Sequence, residues 1–274
     1  MEHQNFITKV LKETSTIAKA GFGKVNGTVK PDDNNQVLTE TDLKIGSIII
    51  KRITKKFPKH NIIDEEAGVI NNNSEFTWVI DPIDGTSNYA NGIPLYGIMI
   101  GLLNGDIPIA GGIALPNFSE LYYAEKGKGA YCNGEKIKVS RETNLLNALV
   151  AYGIDGHRKN PEFTRDECSL LADIILNIRS LRVSGGAFDL AMVAKGKYDA
   201  FLNRSSKIWD NMAQQIIIEE AGGVYTDFFG NTMDYSNAIT KSEDNYTFFA
   251  APPELHKKLL NIISSFSISN TKAL

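Results

Sequence analysis

FTWVIDPIDGTSNYANG, Phe76 to Gly92, runs from an apolar stretch suited to a buried strand straight into two aspartates. Phe76 to Ile80 predicts that strand. Asp81-Pro82 and Asp84-Gly85 are good turn dipeptides. A turn does not require both carboxylates at the mouth of a strand, nor the Gly85-Thr86-Ser87 that follows.

Upstream, Asn61 to Asp64 predicts a short strand ending in DEEAG, then an INNNS loop. Downstream, Leu95 to Glu125 predicts three apolar strands separated by NGDIP and PNFSE, and CNGEK predicts a further hairpin. Phe6, Val10, Leu11, Ile17, Ala18 and Gly21 fall on helical spacing, so a first helix runs to about Gly21–Gly23. GTVKPDDNNQ (residues 27–36) reads as a polar loop. Thr39 is placed as an N-cap with Asp42 three residues on, and Leu43, Ile49, Ile50, Ile53 and Phe57 as the buried helix face, stopped by Pro58.

A second half begins near Ser140–Asn147. It predicts strands at Leu149–Tyr152, Tyr198–Leu202, Val224–Thr226 and Thr247–Ala250. Helices are predicted at Pro161–Asn177, Ala187–Ala194 and Asn211–Ala221, with Pro252 opening the last one. Alternating helix layers and sheets predict an α/β (α+β) sandwich of several layers. Residues 1–140 and 141–274 are expected as two halves of one compact unit.

Composition fits such a core: 274 residues, 42% apolar and 22% charged. The net charge of −3, without a basic run, speaks against a nucleic-acid partner. No apolar stretch reaches the roughly 18–20 residues that span a bilayer. Cys132 and Cys168 lack metal-type spacing, and the N-terminus lacks a signal-peptide layout; both fit a reducing cytoplasm. His3, His60, His157 and His256 are scattered and read as surface or satisfied polar residues.

Acidic residues stand at the ends of apolar elements in four places: Glu65 and Glu66, Asp81 and Asp84, Asp210, and Asp42. Singly, each has a plain use, as a turn, an N-cap or a solvated acid. Together, if they converge at one sheet edge, each close pair repels by about 4 kcal/mol at an effective dielectric of ~20. Hard divalent cations relieve this, and oxygen-only ligands select Mg²⁺, with Mn²⁺ or Ca²⁺ as alternatives. Gly85-Thr86-Ser87 beside such a centre supplies backbone N–H groups for an anion. The residue chemistry therefore predicts a metal-dependent phosphate-ester hydrolase.

WVIDPIDGTSNYANGIP (Trp78–Pro94) resembles the central signature of the inositol monophosphatase family, and KIWDNMAQQIIIEEAGG (Lys207–Gly223) resembles its C-terminal signature. IIDEEAG, LTETD and EKGKGAYCNGEKIKVS are similar to its remaining stations, in order, over essentially the whole chain. The resemblance implies a layered αβαβα sandwich of the inositol monophosphatase and fructose-1,6-bisphosphatase type, usually a homodimer. It implies one Mg²⁺ held by Glu65, Asp81 and the carbonyl of Ile83, a second by Asp81, Asp84 and Asp210, and a looser third sharing Glu65. It implies that Thr86 and Asp42 orient and deprotonate the attacking water, that Gly85 and Thr86 cradle the phosphate, and that Glu66 stands behind the metal ligands. Ser184, Gly185, Gly186 and Ala187 would offer backbone groups to the substrate ring, near Asp84, Asn203 and Asp210. Mn²⁺ would substitute, while Ca²⁺ and Li⁺ would inhibit.

The implied substrate is a small polyol phosphate, inositol 1-phosphate first, then histidinol phosphate, fructose 1,6-bisphosphate or a 3′-phosphonucleotide. A reading from another class is a non-catalytic partner of the transcription machinery. The sequence departs from the family's pattern in two places. Asn203 stands where inositol phosphatases carry a glutamate. VKPDDNNQVLTETD has an extra residue with Gln36 near a usual aspartate, so that Lys30 reads either as the family's loop lysine or as a solvated one. Arg158 and His157 read as solvent-exposed or as contacts for a second phosphate.

Overall fold

The computed structural model describes residues 2–30 and 33–266. The expected halves, 1–140 and 141–274, and the expected loop at 27–36 each include positions outside this set. The first half runs α1 (Glu2–Gly21), β1 (Thr28–Lys30), β2 (Asp33–Leu38), α2 (Glu40–Lys56), β3 (Asn61–Asp64), β4 (Gly68–Ile70), β5 (Phe76–Asp84) and α3 (Thr86–Ala90). It continues with β6 (Gly97–Asn104), β7 (Ile107–Leu115), β8 (Glu120–Glu125), β9 (Gly129–Cys132) and β10 (Glu135–Lys136). The second half runs β11 (Leu149–Gly153), α4 (Pro161–Asn177), β12 (Ser180–Arg182), α5 (Gly186–Ala194), β13 (Ala200–Ser206) and α6 (Ile208–Glu220). Then come β14 (Val224–Thr226), β15 (Tyr246–Ala251) and α7 (Pro253–Ser265).

An eight-stranded sheet, ordered β10-β9-β8-β7-β6-β5-β3-β4, is antiparallel except where β3 pairs with β5. A five-stranded sheet is ordered β12-β11-β13-β15-β14. Helices α1 and α2 cover one face of the large sheet, α5 and α6 lie between the sheets, and α4 and α7 close the far side. This is the expected αβαβα sandwich.

Three apolar cores hold the layers together. Ile7, Leu11, Ile45, Ile49 and Ile53 pack on Trp78, Ile80 and Ile98 in the first. Val79, Met99 and Ile113 meet Met212 and Ile216 in the second, and Leu170, Leu202, Phe249 and Leu259 form part of the third. The run Trp78-Val79-Ile80 is apolar throughout because β5 is buried on both faces, Trp78 and Ile80 toward α1 and α2, Val79 toward α6.

Several boundaries differ from expectation, each for a local reason. Residues 28–30 and 33–38 form a hairpin, pairing Thr28 with Leu38 and Val29 with Val37, where a polar loop was expected; the Asn-rich composition masks its Val-Leu strand. Leu43 is 51% exposed, because the buried stripe of α2 is Ile45-Ile49-Ile53, one turn apart on one face. β5 continues through Asp84 instead of stopping at Ile80, and α6 starts at Ile208, so Asp210 lies inside its first turn. Strand β13 is shifted to Ala200–Ser206, and the short edge strands β4 and β12 carry too little pattern to be read. Among the described residues, no helix is long and apolar enough to cross a membrane.

Candidate active site

The two aspartates of the opening motif are brought together by a bulge. Asp81 pairs with Met99 and Asp84 with Gly97, so two residues between them on β5, Pro82 and Ile83, oppose one on β6, Ile98. In a regular strand, residues three apart face opposite sides; one extra residue restores them to the same side. Ile83 consequently packs with Trp78 and Ile80 toward α2, while Asp84 accepts a bond from the Ala187 N–H of α5 on the other face, at 2.7 Å. Pro82 sits in the irregularity, where a missing N–H is tolerated.

Asp210 reaches the same point from α6. Its Oδ2 accepts the Lys207 N–H at 2.6 Å, which caps the helix and holds the carboxylate. One oxygen from each of Asp81, Asp84 and Asp210 lies within 4.8 Å of the others. At an effective dielectric of ~20, charges at such spacing repel by at least about 3 kcal/mol per pair. Burial is the main cause that pushes all three carboxyls upward, Asp84 to about 6, Asp210 to about 7 and Asp81 well above the usual range; neighbouring charge adds to it, from Asp189 at Asp84, from Asp84 at Asp210, and from Glu65, Asp84 and Asp210 at Asp81. Among the described residues, Asp81 Oδ1 is buried with no hydrogen-bond partner. A buried carboxylate oxygen left bare among other carboxylates fits a cation ligand better than a structural acid. The donor set at this triad is all oxygen, which suits magnesium.

Glu65, at the end of β3, lines the same cleft but is not part of the compact triad. Burial pushes its carboxyl up to about 8. Lys30 Nζ pairs with Glu65 Oε1 at 3.1 Å and with Glu66 Oε1 at 2.8 Å. Lys30 is therefore a half-buried partner of both glutamates, not a solvated lysine.

Asp42 lies behind the triad. Its Oδ2 accepts from Thr39 N–H at 3.0 Å and from the Thr39 hydroxyl, a capping box at the start of α2. Its Oδ1 lies 3.0 Å from Thr86 Oγ1, which is also 2.8 Å from the Ile83 carbonyl. One hydroxyl proton serves one of these acceptors at a time. Burial pushes the Asp42 carboxyl upward. Capping and contact with Thr86 thus coexist in one side chain.

Gly85 precedes α3 with φ 81°, and a Cβ there would stand 2.9 Å from the Leu95 carbonyl. Only glycine meets both demands.

The cleft has a volume of about 970 Å³ and is lined by Glu65, Asp81, Ile83, Asp84, Gly85, Thr86, Ser184, Gly185, Gly186, Asn203 and Asp210. Asp42, Glu66 and Ala187 do not line it; Asp42 reaches it through Thr86, Ala187 through Asp84, and Glu66 faces a groove on the outside of α2. His157, half-buried, and Arg158, exposed, also line the cleft. Asn203 turns its Oδ1 onto the Ser205 N–H at 2.7 Å. Sequence reasoning missed Asp189 and Asn88, which bond the Ser184–Gly185 segment. The signal for Asp189 was a single acid early in the apolar helix GAFDLAMVA.

A strand-end acid centre beside a glycine–threonine helix entry, set between two sheets, is the arrangement of a phosphoric monoester hydrolase. Comparison with known proteins names the group: the chain matches the inositol monophosphatase family over residues 2–265 and belongs to it, a family of metal-dependent phosphatases. It is 38% identical over 238 residues to a fructose-1,6-bisphosphatase/inositol-1-monophosphatase of Aquifex aeolicus, covering 85% of this chain and 88% of that protein. It is 34% identical to inositol monophosphatase 1 of Solanum lycopersicum, covering 82% and 84%. Among solved structures, an inositol monophosphatase of Thermotoga maritima superposes with a TM-score of 0.84 at 28% identity, covering 97% of this chain and 98% of that one.

Proposed function

We propose that this protein hydrolyses a small polyol phosphate with Mg²⁺, inositol 1-phosphate to inositol and phosphate being the leading reaction. The observation that carries the reading is the Asp81–Asp84–Asp210 cluster with its bare, buried Asp81 oxygen. Asp81, Asp84 and Asp210 would hold one ion, and Glu65, Asp81 and the Ile83 carbonyl another, with a third sharing Glu65. Magnesium there supplies positive charge that offsets the phosphoryl oxygens and acidifies water.

The chain's own groups do the rest. Gly85 and Thr86 receive the phosphate at the start of α3. Thr86 Oγ1, donating to Asp42 Oδ1, keeps its lone pairs for a proton of the attacking water. As the water oxygen bonds phosphorus and the ester P–O bond breaks, that proton passes through Thr86 to Asp42, and the departing alkoxide takes a proton from solvent water to leave as the alcohol. Burial raises the Asp42 pKa, which suits a proton acceptor working near neutrality. Glu66 holds Lys30 beside Glu65.

Ser184 to Ala187 and Asn203 border the substrate's ring. Because Asn203 replaces the glutamate of inositol phosphatases, the reading extends to histidinol phosphate, fructose 1,6-bisphosphate and 3′-phosphonucleotides. The double name of the Aquifex relative supports including the bisphosphate. A non-catalytic role with the transcription machinery is not favoured, since the acidic centre is present in full. We further propose a cytoplasmic homodimer of two-halved subunits, activated by Mn²⁺ and inhibited by Ca²⁺ and Li⁺.

The test is phosphate release from this substrate panel with and without Mg²⁺, repeated with lithium. Metal-dependent turnover of inositol 1-phosphate above the others is expected. Metal-independent release, or none on any substrate, would refute the reading.

A further inference from the structure

The amide that holds Asp84 is delivered by a segment pinned at several points. Ala187 N–H donates to Asp84 Oδ1. Two glycines allow helix α5 to come this close: a Cβ at Gly186 would stand 2.4 Å from Asp84 Oδ2, and one at Gly97, the residue paired with Asp84 across the sheet, would stand 2.6 Å from the Ala187 Cβ. Asn88 Nδ2 ties the segment to α3 by donating to the Ser184 carbonyl at 3.2 Å. On the other side, Asp189 Oδ2 accepts the N–H groups of Ser184 at 3.2 Å and Gly185 at 3.0 Å.

Asp189 is an expensive residue for that task. It is 1% exposed, and its Oδ1 is buried without a partner among the described residues. A hydroxyl or an amide would cap a helix start without adding a carboxylate to an acidic centre.

We infer that Asp189 is a positioning residue for the cation site at Asp84: it fixes the Ser184–Gly186 segment so that Ala187 N–H orients the Asp84 carboxylate, coupling the loop at the substrate side of the cleft to cation binding. This rests on the reading of Asp84 as a cation ligand. Outer groups that orient a ligating carboxylate typically change metal affinity by about 10–100-fold when removed.

The experiment is calorimetric titration of the full chain with Mg²⁺, read alongside the Mg²⁺-induced rise in Tm. Asp189→Ala is expected to weaken Mg²⁺ binding at least about ten-fold. Asp189→Asn keeps an oxygen for both amides and is expected to stay within about three-fold of the parent. Gly97→Ala, which pushes Ala187 away from Asp84 without touching Asp189, is expected to weaken binding in the same direction and serves if Asp189→Ala does not fold. Unchanged Mg²⁺ affinity in Asp189→Ala or Gly97→Ala, or an Asp189→Asn protein as weak as Asp189→Ala, would overturn the assignment. A parent protein that binds no Mg²⁺ would remove it together with the proposed function.

Discussion

Asp81 and Asp84 are three residues apart on β5 yet share one side of the sheet, because Met99 and Gly97 opposite them are two apart. The bulge converts a turn-like sequence into paired carboxylates, and α6 adds Asp210 to make a cluster that is unfavourable until a cation enters.

Asp84→Asn should separate stability from activity. The amide still accepts the Ala187 N–H and removes one negative charge from the cluster. We expect the metal-free protein to melt higher by about 3 °C or more, since each kcal/mol shifts Tm by about 2–4 °C at this size. Phosphate release should fall at least about a hundred-fold. Calorimetry and a phosphate assay on one preparation read both; a lower Tm would contradict the electrostatic account.

Thr86 should act through its hydroxyl. Thr86→Val removes the proton path to Asp42, and kcat should fall by roughly 10²–10⁴-fold with KM little changed. Thr86→Ser should recover most of the loss. If steady-state kinetics show the two variants equally impaired, packing of the methyl matters more than the hydroxyl.

Under the proposed role of Glu65 as a cation ligand, its ion pair with Lys30 competes with cations. In Lys30→Met, Glu65 and Glu66 face each other without a partner, so the metal-free protein should lose about 1–2 kcal/mol. Less Mg²⁺ should be needed for half-maximal stabilisation. An unaltered or raised Mg²⁺ requirement would mean that Lys30 assists binding instead of opposing it.

Much of this was legible in the sequence because the signals were local. The Trp78–Ile80 run, the cap at Thr39, and the α4 boundaries at Pro161 and Asn177 are set by neighbouring residues. The bulge was not legible. Asp-Pro-Ile-Asp-Gly has the composition of a turn, and only pairing with β6, remote from local propensity, keeps it in the strand. Leu43 misled because apolarity alone does not say which stripe of α2 faces the sheet. Lys30 was ambiguous for a similar reason: nothing near it in sequence reveals Glu65 and Glu66. The Asn203 substitution was visible at once, yet its turn onto Ser205 depends on the irregular end of β13.

The central claim is that a captured cation makes the buried acids tolerable, and its most direct test is thermal stability against pH, with and without Mg²⁺. Glu65, Asp84 and Asp210 have folded pKa values of about 8, 6 and 7, above their unfolded values, so they take up protons on folding. Their contribution is complete below the unfolded pKa near ~4 and is lost as pH rises through those folded values. His256, held down to about 4 by burial, works the opposite way, but only below about pH 6.5. Between about pH 6.5 and about pH 8.5 the metal-free protein should therefore lose stability, while Mg²⁺ should raise Tm more at the higher pH, where protons no longer compete. A metal-free Tm that holds or rises over this interval, together with no response to Mg²⁺, would contradict the account.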